Sequence, residues 1–264
     1  MGRPMRRLTT FTCSGETLGA SLDPADGAVG VLMVTGGSQT RTGSHRIYER
    51  LAKTLSERGY PMFRFDRRGV GDSSGDDPGF RGSGPDIAAA LAAFRAEQPQ
   101  LRAIAGFGLC DGATALALDA KPFERLILVN PWLVEADPGA PPPAAVREHY
   151  RTQLASREGW KRLLTGDLSY GKLVGGVLRA ARATRTRLAR QVAIALKSSG
   201  TPVHLILARR DGTAIAAAEQ WRSKRFARVY SDPQFIESDS HTFARAGDAD
   251  ALLAAVLRVL PPPR

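Results

Sequence analysis

Short apolar runs alternate with amphipathic segments of helical length along most of this 264-residue chain. Residues 29–34 form a continuous apolar run, which is typical of a strand covered on both faces. Further strands are predicted at 61–65, 103–107, 125–129, 203–208 and 226–230. Helices are predicted at 44–58, 86–97, 111–120, 214–221 and 248–259. Regular strand–helix alternation produces a mainly parallel sheet with helices on both faces. We therefore predict a doubly wound α/β fold, preceded by an antiparallel hairpin of residues 8–13 and 18–22.

The alternation stops at residues 130–132, Asn-Pro-Trp, and a proline-rich stretch follows at 138–143. It resumes at about residue 201. Because 264 residues commonly form one α/β domain, the intervening segment is interpreted as an insertion and not as a second unit. We predict a core formed by residues 1–137 and 201–264, with residues 138–200 forming a basic helical cap above the sheet.

The chain carries a formal charge of +11, and most of it lies in one segment. Residues 147–197 contain twelve Lys and Arg residues and three acids, a net charge of +9. Such a segment attracts anionic partners, so we expect it to bind an anionic acyl carrier, polysaccharide or membrane surface. Solvation of ordinary helix faces is the alternative. Specific nucleic-acid binding is disfavoured because aromatic residues are sparse there.

The two cysteines, Cys13 and Cys110, are too few and too distant in sequence to indicate a disulfide framework, which favours a reducing compartment. The amino terminus lacks the apolar core of a signal peptide, and no run approaches the roughly 18 apolar residues of a membrane span. We expect a cytoplasmic protein whose only membrane contact is peripheral. Neither a metal site nor a phosphate loop is predicted, and no cofactor is expected.

Residues 108–112, Gly-Leu-Cys-Asp-Gly, follow a predicted strand and open a predicted helix. This is the context of a nucleophile elbow, in which small residues permit a strained turn that exposes the nucleophile. The helix N-terminus favours negative charge, so it stabilises a thiolate at Cys110. A buried structural cysteine is the alternative. Residues 71–75, Gly-Asp-Ser-Ser-Gly, match the same pattern, but no strand precedes them and loop follows.

A nucleophilic thiol needs a base, and the base needs an orienting carboxylate. His241 lies in a late loop between the last predicted strand and helix, whereas His204 falls within a strand and His149 within the basic segment. Asp211 follows the strand after the insertion. We predict a Cys110–Asp211–His241 triad, with Asp239 or Glu237 as alternative acids and a surface role as the alternative for His241.

An oxyanion needs two backbone donors. The N–H of Asp111, directly after the nucleophile, is the first candidate. Gly37, in the Gly-Gly pair after the 29–34 strand, is the second, followed by Ser38, although the pair is alternatively a simple turn. His45 and Arg46 lie at the next helix entry, where a guanidinium is suited to a substrate carboxylate or phosphate. Together with Ser38, they are the predicted substrate-binding residues. The alternative for Arg46 is a solvated helix residue.

These motifs together resemble known families. Residues 65–73, Phe-Asp-Arg-Arg-Gly-Val-Gly-Asp-Ser, are similar to a signature of α/β-hydrolases of the aminopeptidase and lysophospholipase type. Residues 34–39 and 43–46, with 108–113 and 130–132, resemble the exosortase A system-associated hydrolases of the first type. That resemblance implies an α/β-hydrolase fold and a bacterial cytoplasmic hydrolase linked to a protein-sorting and exopolysaccharide locus. Thr35 departs from the His-Gly common at this loop in esterases.

The combined features predict a hydrolase that forms a thioacyl-enzyme on Cys110 and acts on a small or carrier-bound acyl substrate, with the basic cap favouring an anionic one. Thiolates attack well, and esters and thioesters are easier substrates than amides. Enzymes resembling dienelactone hydrolase also use a cysteine in such an elbow. The alternatives are acyl transfer, or a non-catalytic binding module on a hydrolase scaffold.

Overall fold

The computed structural model describes residues 5–134, 187–229 and 232–264. Within them, eight strands form one sheet: β1 Arg7–Cys13, β2 Glu16–Asp23, β3 Val29–Val34, β4 Met62–Phe65, β5 Ala103–Leu109, β6 Arg125–Val129, β7 Val203–Ala208 and β8 Gln234–Ile236. Their order is β1-β2-β4-β3-β5-β6-β7-β8. β2 pairs antiparallel with β1 and β4, and all other neighbours are parallel. The predicted hairpin and mainly parallel sheet are confirmed.

Helices cover both faces of the sheet: α1 Ile47–Ser56, α2 Gly84–Glu97, α3 Asp111–Leu118, α4 Arg187–Ser199, α5 Gly212–Trp221 and α6 Asp248–Val259. Strand β3 shows why helices are needed on both faces of the sheet. Val31 and Met33 pack in the core with α1 and α6, while Leu32 and Val34 pack in the core with α2, α3 and α4. A strand with two buried faces has no polar alternation, as its sequence indicated. The doubly wound α/β-hydrolase fold is confirmed.

The carboxyl ends of β5, β6 and β7 lie side by side at one edge of the sheet. Leu109 is in register with Val129, which in turn is in register with Ile206. The loops that follow these three strands therefore begin within two strand spacings of each other, about 10 Å. In open α/β sheets this edge forms the ligand-binding crevice.

The predicted strand at 226–230 is wrong. A 3-10 turn occupies Lys224–Phe226, and the edge strand is instead the three-residue β8. Phe226 is buried because its ring stacks on Trp221 with centroids 4.6 Å apart. Its apolar character therefore reflects packing against the end of α5 and not a position in the sheet.

The predicted helix at 44–58 begins later than expected. A 3-10 turn precedes α1, and within it His45 and Arg46 have left-handed backbones with φ of 54° and 59°. Left-handed conformations are costly for residues with a Cβ and cannot continue an α-helix. The helix therefore starts at Ile47, and the segment before it is an irregular loop at the carboxyl edge of the sheet.

Helix α4 is the only described part of the predicted 138–200 insertion. Leu188, Val192 and Leu196 are buried in the core that also contains α3, whereas Ile194 is exposed. Residues 138–186 lie outside the described residues, so the cap and its boundaries stay predictions. In the described ranges, no helix combines the length and apolarity needed to cross a bilayer.

Candidate active site

Cys110 forms a sharp turn between β5 and α3. Its backbone has φ 60° and ψ −128°, a conformation of the kind that costs about 1–3 kcal/mol. A Cβ on Gly108 would lie 2.7 Å from the backbone of Ala113, and one on Gly112 would lie 2.6 Å from the carbonyl oxygen of Thr35. Strand, turn and helix are therefore too close for a larger residue at either glycine. This packing holds the partly exposed Cys110 side chain at the carboxyl edge of the sheet.

Asp211 follows β7 and caps α5. Its Oδ2 accepts the N–H of Ala214 at 2.9 Å and lies 2.9 Å from Nδ1 of His241. An N-cap hydrogen bond satisfies an otherwise unpaired helix amide and fixes the carboxylate. Because Nδ1 is occupied by Asp211, Nε2 is the ring nitrogen left for Cys110, whose interaction with the ring helps to raise the pKa of His241. The structure thus brings the three predicted residues together.

His241 has an unusual protonation equilibrium. Burial disfavours a charged ring, but hydrogen bonds and charge interactions with Asp211 and Cys110 outweigh the burial and raise the pKa of His241 to about 10. The ring therefore stays an imidazolium at neutral pH. A ring that holds its proton at neutral pH is suited to donating that proton to a leaving group.

The alternative acids are engaged elsewhere. Asp239 accepts two hydrogen bonds from Arg245 at 3.0 and 3.2 Å, and the Arg245 guanidinium lowers the pKa of Asp239. Glu237 pairs with Arg209. Of the acids considered from the sequence, Asp211 is therefore the one that contacts the His241 ring.

The other histidines and the competing serine motif were also considered from the sequence as parts of the site. His204 lies in β7, and burial together with the charge of Arg125 lowers its pKa. Ser73, in the competing Gly-Asp-Ser-Ser-Gly motif, donates its hydroxyl to the carbonyl oxygen of Asp66 and accepts the N–H of Gly19. The hydroxyl of Ser73 therefore joins two backbone segments. His149 lies outside the described residues.

The predicted oxyanion loop differs from expectation at one donor. The N–H of Gly37 donates to Oδ1 of Asp111 at 2.5 Å, so this predicted donor is already occupied. The loop lies against the start of α3, since a Cβ on Gly36 would be 2.8 Å from the same carboxylate oxygen. The N–H of Asp111 belongs to the first helical turn and has no intrahelical partner. Ser38 is exposed on the same loop.

A family model described as "Serine aminopeptidase, S33" matches residues 31–169, slightly more than half of the chain. The chain belongs to this S33 hydrolase family. The family's description names a serine, whereas this S33 hydrolase has Cys110 at the elbow. A comparison with curated proteins found no match.

Solved structures agree on the fold of this S33 hydrolase. It is similar to esterase Pf2001 from Pyrococcus furiosus at 15% identity and TM-score 0.63, with 96% of this chain and 92% of that chain covered. The α/β-hydrolase GrgF from Penicillium sp. sh18 is 20% identical to it with a TM-score of 0.64, and the match covers 96% of this chain and 97% of that chain. An α/β serine hydrolase homologue from Coxiella burnetii is 18% identical with a TM-score of 0.59, and the match covers 97% of each chain.

Of the residues predicted to bind substrate in this S33 hydrolase, Arg46 already has a partner within the protein. Arg46 donates two hydrogen bonds to Glu49, at 2.6 and 2.7 Å, so its guanidinium already has a carboxylate partner. The prediction that Arg46 binds a substrate anion is therefore not supported by its contacts. The exposed His45 precedes it in a left-handed conformation.

Two buried residues near the site were not recognised from sequence. Arg67 donates to the carbonyl oxygen of Gly37 at 2.5 Å and to the Ser83 hydroxyl at 3.1 Å, which braces the oxyanion loop. Burial, followed by the nearby Cys110 and Asp111, raises the pKa of Tyr48. The signal for Arg67 was its place in the 65–73 signature; Tyr48 had only the helical spacing of a core residue.

Across residues 5–134, 187–229 and 232–264, no three His, Cys, Asp or Glu side chains are grouped so that they could bind a metal ion. The chemically active groups at the carboxyl edge are instead a thiol, an imidazole and a carboxylate. Such a set is suited to nucleophilic catalysis with proton transfer.

Proposed function

We propose that this hydrolase cleaves an ester or thioester through a thioacyl-enzyme formed on Cys110. The observation that carries the proposal is that His241 meets both partners: its Nδ1 lies 2.9 Å from Asp211, and Cys110 acts together with Asp211 to raise the pKa of the ring. The order nucleophile, acid, base along the chain agrees with that of α/β-hydrolases. One structural neighbour, Pf2001, is an esterase, which is consistent with this substrate class.

In the first half-reaction, the Cys110 sulfur attacks the substrate carbonyl carbon, and the carbonyl electron pair moves to oxygen. The tetrahedral intermediate then collapses, the bond to the leaving alcohol or thiol breaks, and His241 Nε2 transfers its proton to that group. Water then attacks the thioacyl carbon while His241 accepts a proton from that water. The resulting intermediate collapses, the bond between the acyl carbon and the Cys110 sulfur breaks with its electron pair returning to sulfur, and the acid product leaves. Asp211 keeps the ring oriented and stabilises the imidazolium in both steps.

The N–H of Asp111 is the proposed first donor to the oxyanion. The Gly37 N–H is the proposed second donor only if the Asp111 carboxylate gives up its hydrogen bond when substrate binds, and Ser38 is the other candidate on the loop. Oxyanion donors act best when they are preorganised. The side chain of Asp111 therefore opposes catalysis in two ways, by occupying a donor and by placing a negative charge near the developing oxyanion.

This opposition leads to a prediction for Asp111→Asn. The amide oxygen can still accept the Gly37 N–H, but the negative charge is gone. Two like charges about 4 Å apart cost about 1 kcal/mol even in bulk water, which corresponds to about fivefold in rate. We expect acylation by a neutral ester to become about fivefold faster or more, measured by stopped-flow absorbance of p-nitrophenol.

Asp26→Asn is the matched control for that measurement. It makes the same change in charge at an exposed position before β3, at the opposite edge of the sheet. We expect its acylation rate to equal that of the wild type. A rate for Asp111→Asn that is unchanged or lower would show that the carboxylate does not oppose the reaction.

The thioacyl-enzyme is tested directly by trapping. The protein is mixed with p-nitrophenyl butyrate, quenched in acid during turnover and analysed by mass spectrometry of peptides. We expect one butyryl group on the peptide containing Cys110, removable by neutral hydroxylamine because it is a thioester. Cys13, which is buried, should remain unmodified. Turnover without any acyl group on Cys110 would refute the proposed nucleophile.

The narrower identity of the substrate stays a proposal that rests on sequence. The motifs at 34–39, 108–113 and 130–132 support membership of the exosortase-associated subgroup. The net charge of +9 over residues 147–197 supports an anionic or carrier-bound acyl substrate and peripheral contact with anionic surfaces. A cytoplasmic location is proposed because two distant cysteines do not indicate a disulfide framework.

A further inference from the structure

The segment after β6 contains the only asparagine in the chain, Asn130. It is completely buried and has a left-handed backbone with φ 42°. Asn tolerates this conformation better than most residues with a side chain. Because β6 lies between β5 and β7, this residue sits between the loop that carries Cys110 and the loop that carries Asp211.

Both ends of the Asn130 amide are used, in opposite roles. Its Oδ1 accepts the backbone N–H of Ala208 at 2.8 Å, and its Nδ2 donates to the backbone carbonyl oxygen of His241 at 2.8 Å. The Ala208 carbonyl oxygen in turn accepts the N–H of Asp211 at 3.2 Å. One side chain therefore connects the start of the acid's loop to the backbone of the histidine itself.

The same segment also contacts the elbow from two sides. The N–H of Cys110 donates to the carbonyl oxygen of Val129 at 3.0 Å, and the N–H of Trp132 donates to the carbonyl oxygen of Cys110 at 3.1 Å. Residues 129–132 thus make hydrogen bonds to all three loops of the candidate site. Within the segment, Asn130 alone reaches the acid and histidine loops through its side chain.

We propose that Asn130 is a positioning residue that sets the placement of the His241 ring relative to Asp211 and Cys110. This proposal rests on the proposed function, because it assigns no chemistry to Asn130 itself. An amide is required at this position because it must accept from one backbone and donate to another. A carboxylate can only accept, and an apolar side chain can do neither.

The expected effect of losing Asn130 is on geometry more than on folding. A displacement of about 1 Å at a reacting group costs on the order of 10²-fold in rate. The loop of His241 keeps other supports, including the hydrogen bonds of Ser238 to Asp248 and of Ser240 N–H to Ser238. The loop should therefore remain folded while the ring samples positions away from Asp211.

Two variants separate the possibilities. Asn130→Gly retains access to the left-handed backbone but removes both side-chain hydrogen bonds. Asn130→Asp keeps an acceptor for Ala208 and places a carboxylate against the carbonyl oxygen of His241. For both, we expect kcat for p-nitrophenyl butyrate to fall about 10- to 100-fold while KM changes less than twofold.

A second readout does not depend on catalysis. The titration of the His241 ring is followed by NMR, which is practical because the chain has four histidines. In Asn130→Gly we expect the pKa of His241 to fall from about 10 towards its ordinary value, because a loosened ring spends less time against Asp211 and Cys110. Asn130→Asp is left out of this measurement, since it adds a charge beside the ring.

Thr201→Val is the matched control. It removes a side-chain hydrogen bond to a backbone carbonyl, that of Ala120, at the amino end of β7 and far along the strand from the site. We expect wild-type kcat and an unchanged His241 titration, even if thermal stability drops. Thermal unfolding midpoints of all variants show that the compared proteins are folded.

A folded Asn130→Gly or Asn130→Asp variant with wild-type kcat would overturn the proposal, as would an Asn130→Gly variant with an unchanged His241 titration. The same holds if Thr201→Val lowers kcat equally. Failure of the proposed function gives a different result, because the wild type would then carry no acyl group on Cys110. The His241 titration would still test the positioning role in that case.

Discussion

Replacing Cys110 by alanine should lower turnover of p-nitrophenyl butyrate by about 10⁴-fold or more. The thiol supplies the bond to the acyl group, and neither Asp211 nor His241 can replace it at that turn. The oxyanion donors and the binding surface remain, so a small residual rate over water is expected. The measurement is steady-state kcat at neutral pH, combined with thermal unfolding to verify that the variant is folded.

Cys13→Ser is the control for this experiment, because it changes the other cysteine of the chain. Cys13 is buried on the hairpin, where its Sγ contacts the Asp86 carboxylate at 3.3 Å. We expect that variant to keep wild-type kcat, whatever its effect on stability. Undiminished turnover by folded Cys110→Ala protein would rule out a nucleophilic role for the elbow cysteine.

Cys110→Ser tests a different property of the same position. A serine hydroxyl is a weak nucleophile unless a neutral base accepts its proton. In Cys110→Ser the hydrogen bond and charge of Asp211 still raise the pKa of His241, although the contribution of Cys110 is lost. We therefore expect Cys110→Ser to have low activity at neutral pH, although serine has the right size and the family is named for it.

The buried strands were the most predictable part of the fold. The bounds of β3, β6, β7 and α6 agree with those predicted from sequence, because long apolar runs and clear helical periodicity are local signals. Parallel order then placed the ends of β5 and β7 at one edge. This is why Cys110, Asp211 and His241 could be grouped from the sequence although 131 positions separate the first from the last.

The wrong prediction of a strand at 226–230 has a different origin. The edge strand β8 has only three residues and one buried side chain, which is too short for a periodic signal. The nearby apolar residues Phe226 and Val229 were more conspicuous, but they pack under α5. Tertiary packing therefore determined the assignment, and no local pattern distinguished the two cases.

Contacts between distant side chains and backbone were also beyond local patterns. The Gly37 N–H meets the Asp111 carboxylate across 74 positions, and Asn130 meets His241 across 111. In contrast, Arg46 and Glu49 are only three positions apart at the start of α1, so their pairing is a local contact. That spacing was a usable signal that Arg46 already has an acidic partner.

His241→Gln should lower the rate of acylation by an alkyl thioester about 10³-fold, within the range that general acid–base catalysis contributes. An alkyl thiolate is a poor leaving group and needs the proton held by the imidazolium. In the wild type, the rate should be sustained through neutral pH and fall as pH rises through about 10, where His241 loses that proton. The measurement is the pre-steady-state acylation rate between pH 6 and 11.

The sign of this dependence follows from the neighbours of the ring. Asp211 and Cys110 favour the protonated imidazole and so move the alkaline limb upwards from the ordinary histidine range. Asp211→Asn removes one of these charges, so its alkaline limb should move to lower pH, and His241→Gln should have no limb of this origin. A wild-type limb near pH 7 would mean that the ring is not held between Asp211 and Cys110. In that case neutral histidine would act as a general base towards a thiol, and the resting ion pair would be absent.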